Sequence, residues 1–259
     1  MRPLNATAKL RLGDTDVTGI GLGTNRLTKT PEHVTFVKQA VAAGVNLIDT
    51  AHTYTGGQSE ETIGAALSHV PDDWVVATKG GWNGARPEVL RAEIEQSLRR
   101  LRTDSIGLYY LHRIDPKTPL EESLGAIKEY RDSGKIHHVG VSNVGIEEVK
   151  RARDVVPIAA VQNAYNLSER KYDAVVDYCA AEEIVFLPYF PLRGSCGGPA
   201  LADIADRHGA TSAQIAVAWL LRRSPAMLPI PGTLSLEHVK ENLAALEIQL
   251  SDAEFEALR

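Results

Sequence analysis

The chain has 259 residues with a formal net charge of −5, and 44% of its residues are hydrophobic and 24% charged. A chain of this length can bury a large core without staples, and its acidic balance excludes a general surface for nucleic acid or other polyanions. The two cysteines, Cys179 and Cys196, show neither metal-ligand spacing nor a disulfide framework, so they read as free thiols of a reducing compartment. The opening Met1-Arg2-Pro3-Leu4-Asn5 lacks the apolar core of a signal peptide. No apolar run approaches the ~20 residues that span a bilayer. The expectation is a cytoplasmic protein with no membrane or nucleic-acid partner.

Short strands near Ala8–Leu12 and Asp14–Thr18, with Gly13 between them, predict an N-terminal hairpin. Eight short apolar runs then follow one another: Val17–Gly23, Val45–Asp49, Trp74–Thr78, Ile106–Leu111, Ile136–Val141, Pro157–Val161, Ile184–Pro188 and Ala226–Ile230. Such runs suit parallel strands buried on both faces. Helical patterns lie between them. Thr30-Pro31 opens the first, with Val34, Val37 and Val41 inward and Gly44 to close it. Pro87 starts another, carrying Leu90, Ile94, Leu98 and Leu101 at helical spacing. Thr118-Pro119 repeats the start signal before Leu120, Leu124 and Ile127, and Gly134 ends that helix. A helix over Ser168–Ala181 places Tyr172, Val175, Val176 and Cys179 on one side. Thr211 and Gln214 form a capping box before Ile215–Leu221; Ser235–Leu246 is the helix after the eighth strand; Ser251 with Glu254 caps the last. Strand–helix units at roughly 30-residue spacing predict one α/β domain over the whole chain, a (β/α)8 TIM barrel with a short N-terminal hairpin closing its bottom.

Barrel chemistry gathers at the C-terminal mouths of the strands. Asp49 follows the second strand with Tyr54 in its loop, and Lys79 follows the third. His112 and Arg113 follow the fourth, Ser142 and Asn143 the fifth, Gln162 and Asn163 the sixth, Tyr189 the seventh, and Pro231-Gly232-Thr233 the eighth. Singly, each has a bland reading: a turn cap, a rim charge, a satisfied core histidine. Chance would scatter polar groups between both ends, so their gathering at one mouth marks a site. Gly21-Leu22-Gly23 lacks the third glycine of a dinucleotide fingerprint and reads as a tight turn into the mouth. His137 and His138 are neighbours on a strand and face opposite sides, so they do not share a metal. No metal site is expected.

Several stretches together resemble the aldo-keto reductase superfamily: Gly21-Leu22-Gly23-Thr24, Asn46 to Tyr54, Ser59 to Gly64, Ala77-Thr78-Lys79, Tyr109-Tyr110-Leu111-His112, Gly140-Val141-Ser142-Asn143, Val161-Gln162-Asn163 and Ile230-Pro231-Gly232-Thr233. The resemblance covers nearly the whole length. It implies a catalytic tetrad on Asp49, Tyr54, Lys79 and His112. It implies that Ser142, Asn143 and Gln162 hold a nicotinamide carboxamide and that Tyr189, leading Phe190, Pro191 and Leu192, stacks on the ring. Arg193 to Ser195 would follow the pyrophosphate, with Gly23, Thr24, Asn25 and Asp49 beside the cofactor. Ile230, Pro231, Gly232, Thr233, His238, Glu241 and Asn242 would take the adenosine end. NADPH is the expected cofactor, with NADH the alternative. Many members place Lys and Arg against the 2′-phosphate where this sequence has Gly232 and His238; here Thr233, His238 and the start of the Ser235 helix would bind it instead.

The expected reaction is reduction of an aldehyde or ketone. Hydride comes from the nicotinamide, and the nascent alkoxide needs a proton. A free tyrosine, pKa ~10, is a sluggish acid near neutrality. A neighbouring ammonium strengthens it, and Lys79 is placed to be that neighbour, with Asp49 holding the lysine charged. His112 would orient the carbonyl oxygen. Trp82, Arg113 and Tyr165 are the expected substrate contacts, together with Asn25 and Phe190. With the sequence ending at Arg259 and a short loop after the fourth strand, the pocket is expected to be open. Phe186 to Leu192, followed by Ile230 to Thr233, resembles a bacterial subgroup that includes pyridoxal reductases. The resemblance leaves two alternatives: the alcohol-oxidising direction, and a cofactor-sensing regulatory protein similar to potassium-channel beta subunits. Nothing in the sequence demands more than a monomer or weak homo-oligomer.

Overall fold

The structure, a computed structural model, describes residues 10–67, 74–195 and 198–259. Ala8, Lys9 and Cys196, on which parts of the sequence reading fall, lie outside the described residues. β1 (Leu10–Leu12) and β2 (Thr15–Val17) pair antiparallel around Gly13, whose φ of 58° suits the turn. Seven parallel strands then run side by side: β3 (Leu22–Gly23), β4 (Leu47–Asp49), β5 (Val75–Gly80), β6 (Ile106–Leu111), β7 (Ile136–Ser142), β8 (Ile158–Ala164) and β9 (Val185–Tyr189).

The eighth run closes the circle without forming a strand. Phe186 donates its N–H to Ala226 and Leu228 donates to Phe186 on one side; Gly21 donates to Pro229 and Gly23 to Pro231 on the other. The physical reason is proline. Pro229 and Pro231 have no N–H to return, so no continuous ladder forms. The turn expected at Gly21-Leu22-Gly23 is instead strand β3 and its approach. These glycines serve close packing: a Cβ on Gly23 would sit 2.8 Å from the Ile230 carbonyl, and one on Gly21 2.7 Å from the Leu47 side chain.

The strands sort their side chains by period two. Leu47, Val75, Ala77, Leu108, Tyr110, Ala160, Leu187 and Leu228 pack inside the barrel, and Leu12 and Val17 of the hairpin join them at its floor. Ile48, Tyr109, Leu111, Val139, Val161 and Phe186 face outward into the layer shared with the helices.

The helices are α1 (Pro31–Ala42), α2 (Gln58–Leu67), α3 (Pro87–Leu101), α4 (Leu120–Asp132), α5 (Ile146–Val155), α6 (Asp173–Ala181), α7 (Pro199–His208), α8 (Ser212–Arg223), α9 (Leu236–Ala244) and α10 (Asp252–Ala257). Thr30 caps α1, and both expected capping boxes form, Thr211 with Gln214 and Ser251 with Glu254. Thr118 does not cap α4. Its hydroxyl donates to Asp115 at 3.1 Å, and Pro119 takes the cap position. The α6 helix starts at Asp173 rather than Ser168, because Asn166 Oδ1 draws the N–H groups of Ser168 and Glu169 into a turn.

Candidate active site

The inward-facing period continues past the apolar core into a set of polar side chains. Leu47 is followed two residues on by Asp49, Ala77 by Lys79, Tyr110 by His112, Ala160 by Gln162 and Leu187 by Tyr189. Each therefore points into the mouth of the barrel by the alternation that fills its floor.

Lys79 is fully buried. Its ammonium donates to Asp49 Oδ1 at 2.6 Å, to the Thr50 carbonyl at 2.6 Å and to the Tyr54 hydroxyl at 3.4 Å. Three protons thus meet three oxygens. Burial works against this charge, but Asp49 and then Tyr54 outweigh it and hold the lysine above its ordinary pKa. Asp49 Oδ2 accepts from Gln162 Nε2 at 2.8 Å, so both carboxylate oxygens are engaged. Since the Tyr54 oxygen accepts from Lys79, its own proton is free to point into the cavity.

The Tyr54 loop is tied down by the strand beside it. Thr50 donates its N–H to Ala77 O, and His52 donates to Lys79 O at 3.0 Å. Thr55, Gly56 and Gly57 then take positive φ values of 49°, 66° and 94°. A Cβ at Gly57 would collide with the Arg100 guanidinium. Arg100 itself donates to the His52 carbonyl at 3.0 Å and to Glu60 Oε2 at 3.2 Å. Glu60 is fully buried and also accepts from Thr78 at 2.7 Å. His52 Nε2 meets Gln96 Oε1 at 2.7 Å. Glu60 and Arg100, which the sequence reading did not single out, thus support the loop that carries Tyr54.

His112 stands beside Tyr54, ring centroids 6.1 Å apart and nearly perpendicular. Its backbone N–H extends the ladder to Gly80 O at 2.8 Å. Burial, then the charges of Lys79 and Arg113, push its pKa down to about 3, so the imidazole is neutral near pH 7. Trp82 lies 4.7 Å from the His112 ring, and the Arg113 guanidinium lies 4.7 Å from the Trp82 ring.

A cavity of about 820 Å³ opens over these groups. Of the expected cofactor residues, Gly23, Thr24, Asn25, Asp49, Ser142, Asn143, Gln162, Tyr189, Phe190, Pro191, Leu192, Arg193, Ile230, Pro231 and Gly232 line it. So do Trp82 and Arg113, and two residues not anticipated, Arg26 and Thr53. Thr233, His238, Glu241 and Asn242 lie beyond that lining, on the turn into α9 and on the helix. Tyr189 donates to Asn143 Oδ1 at 2.7 Å, and Asn143 Nδ2 donates to the His112 carbonyl at 3.2 Å, linking the walls of β6, β7 and β9. Tyr165 is a correction. It is fully buried, its hydroxyl donates to Asp173, and its ring packs between Phe186 and Trp219, away from the cavity. Gln162 faces inward, so alternation turns Tyr165 outward.

His137 and His138 also separate as expected. His137 meets Ser105 at 3.1 Å, whereas His138 meets Asp14 of the hairpin at 3.0 Å. Among the described residues no group of three or more His, Cys, Asp or Glu could hold a metal ion. No helix among them is long and apolar enough to cross a membrane.

A barrel with this polar mouth places the chain among α/β enzymes, and sequence comparison narrows the class. The Aldo/keto reductase family model matches residues 19–198 and 197–259, and the chain belongs to that family. It is 36% identical over 271 residues to an uncharacterized oxidoreductase of Schizosaccharomyces pombe, covering 96% of this chain and 88% of that one. It is 37% identical over 236 residues to pyridoxine 4-dehydrogenase of Escherichia coli, covering 85% and 82%. Among solved structures, an aldo-keto reductase of Klebsiella pneumoniae in complex with NADPH superposes with a TM-score of 0.88 at 32% identity, covering 96% of this chain and 93% of the other. The thermostable aldo-keto reductase Tm1743, solved with the inhibitor epalrestat, gives 0.90 at 33% identity, covering 97% and 98%.

Proposed function

We propose that the protein is an NADPH-dependent reductase of aldehydes and ketones, with Asp49, Tyr54, Lys79 and His112 as its catalytic residues. The observation that carries this reading is the buried chain from Asp49 through Lys79 to Tyr54, ending at the cavity. The cavity suits the cofactor by its chemistry. The amides of Asn143 and Gln162 and the hydroxyl of Ser142 gather on one side, the flat ring of Tyr189 forms a wall, and Arg26 and Arg193 supply positive charge for a pyrophosphate. Gly23 and Gly232 bring bare backbone to the other side. Its volume lies within the ~300–1,000 Å³ of small-molecule sites. Thr233, hydrogen-bonded to His238 at 3.3 Å, stands before α9, whose first N–H groups favour an anion, and this supports the phosphorylated cofactor.

When bound, the nicotinamide supplies hydride. The chain's own residues do the rest. His112, neutral, donates a hydrogen bond to the carbonyl oxygen and fixes its direction. Tyr54 delivers its proton to that oxygen as charge develops. Lys79 stabilises the phenolate left behind, and Asp49 keeps Lys79 charged. Trp82, 41% exposed, and Phe190, 48% exposed, flank the mouth and suit an open, tolerant pocket. The relative named for pyridoxine oxidation suggests pyridoxal as one substrate to try. No observation favours the regulatory alternative.

The test is cofactor oxidation by the purified protein with 4-nitrobenzaldehyde, 9,10-phenanthrenequinone and pyridoxal, comparing initial rates with NADPH and NADH. Saturable turnover with at least one compound, faster with NADPH, is expected. Silence with all three despite tight cofactor binding refutes the enzyme reading, and faster turnover with NADH refutes the cofactor assignment.

A further inference from the structure

Among the described residues three arginines line the cavity, Arg26, Arg113 and Arg193, and the one acid there, Asp49, is already held by Lys79 and Gln162. Two of the arginines lie toward the proposed cofactor side. Arg26 donates to the Gly232 carbonyl at 3.0 Å, and Arg193 stacks 4.5 Å from the Phe190 ring. The third stands apart. Arg113 follows β6, which lies four places around the barrel from the closing segment at 226–232. It is therefore across the mouth from the cofactor side, next to His112.

Arg113 has no carboxylate within ion-pair distance among the described residues, and none of its guanidinium N–H groups is engaged by a protein acceptor there. The nearest acid in sequence, Asp115, is spent elsewhere: it accepts from the Ala85 and Lys117 N–H groups and from the Thr118 hydroxyl. Trp82 holds one face of the guanidinium by stacking and leaves its edge of donors free. A planar fork of that kind matches a carboxylate. Trp82 packs against both the His112 ring and the Arg113 guanidinium, each 4.7 Å away, and a ligand that meets His112 with its carbonyl and Arg113 with a carboxylate carries the two groups at separate positions.

Resting on the carbonyl-reductase reading, we propose that the preferred substrates are aldehydes or ketones bearing a remote carboxylate, and that Arg113 is the residue that selects them. Arg113 is exposed at the rim, so a bidentate guanidinium–carboxylate pair there favours the acid by attraction and by its fixed fork geometry.

The probe pair is 4-carboxybenzaldehyde and its methyl ester, which differ in charge and share the reacting aldehyde. Steady-state kinetics with NADPH are measured for the native protein, Arg113→Gln and Arg113→Lys. In Arg113→Gln the acid-to-ester ratio of kcat/KM is expected to fall by ~5-fold, chiefly through KM for the acid, with Arg113→Lys intermediate. Added salt is expected to erode the native preference as well. Parallel losses on acid and ester in Arg113→Gln mean that Arg113 only props Trp82, and the proposal falls. An unchanged ratio also overturns it. If the native protein reduces neither aldehyde nor the three compounds named above, the reductase reading fails first and this inference with it.

Discussion

Arg100 is where the fold and the Tyr54 loop share one side chain. Replacing it with Met keeps the stem and removes the guanidinium. Glu60, whose side chain is fully buried, then keeps only its bond from Thr78, and the His52 carbonyl loses a donor. Breaking a buried pair from one side costs ~3–5 kcal/mol, because a charge is left uncompensated. The Arg100 side chain is 16% exposed, so solvent screens part of the loss and the lower end, ~3 kcal/mol, is expected. For a domain near this size each kcal/mol moves the melting midpoint by ~2–4 °C, giving a fall of ~6–12 °C. Neutralising the partner too, in Glu60→Gln/Arg100→Met, is expected to recover more than half of it, since the amide still accepts from Thr78. The same single change loosens the turn at Gly57 and is expected to lower turnover by ~10-fold through misplacement of Tyr54. Thermal unfolding followed by circular dichroism, with NADPH oxidation on the same samples, reads both effects. A midpoint shift below ~2 °C, or a double variant as unstable as the single, refutes the reasoning.

Tyr54→Phe is expected to cut turnover by ~10²-fold or more with cofactor affinity nearly unchanged; an active variant with the native pH profile defeats the acid assignment. For His112 the sign is fixed by its depressed pKa. Folded, it titrates at about 3, against an ordinary 6.5. As pH falls from ~6.5 toward 3, the unfolded chain takes up a proton that the folded protein refuses, so this group's contribution to stability is present above ~6.5 and lost on acidification. Urea titrations across that range should show a shallower acid slope for His112→Gln, and an identical slope contradicts the assignment. Gly23→Ala places a methyl group against the Ile230 carbonyl and Gly232. It is expected to cost ~1–3 kcal/mol and to raise KM for the cofactor; native unfolding and native KM together would disprove the close-approach argument.

Much of the barrel was legible because its strands obey period two, and the same alternation carried Asp49, Lys79, His112, Gln162 and Tyr189 inward. What escaped has physical causes. The α5 helix, Ile146–Val155, buries only Val149 and Ala152, too thin an apolar stripe to register beside its charges. The α7 helix begins at Pro199 behind a glycine-rich stretch that reads as loop. The α2 helix packs through small residues, and a Cβ on Gly64 would strike the backbone of Arg100. That close contact brings α2 and α3 together and encloses Glu60 and Arg100. On a linear sequence both look like solvated charges, and only the helix-to-helix distance makes them partners. Glu60 was the more discoverable, since it lies in the same Ser59 to Gly64 stretch that carried the family resemblance. Tyr165 was misassigned because strand β8 was expected to end at Val161. It runs to Ala164, and counting its parity outward from Gln162 places the ring among the helices.

The proline-bearing segment that completes the barrel leaves a seam. Elsewhere each wall is zipped to the next by reciprocal ladder bonds, whereas Pro229 and Pro231 only accept there. A joint held by an interrupted ladder, with a single bridge between Gly23 and Gly232, separates at lower free energy than a full one. A dinucleotide lying across Gly23 and Gly232 would therefore act as a clasp, adding to the closed form the stability that the backbone at that joint forgoes.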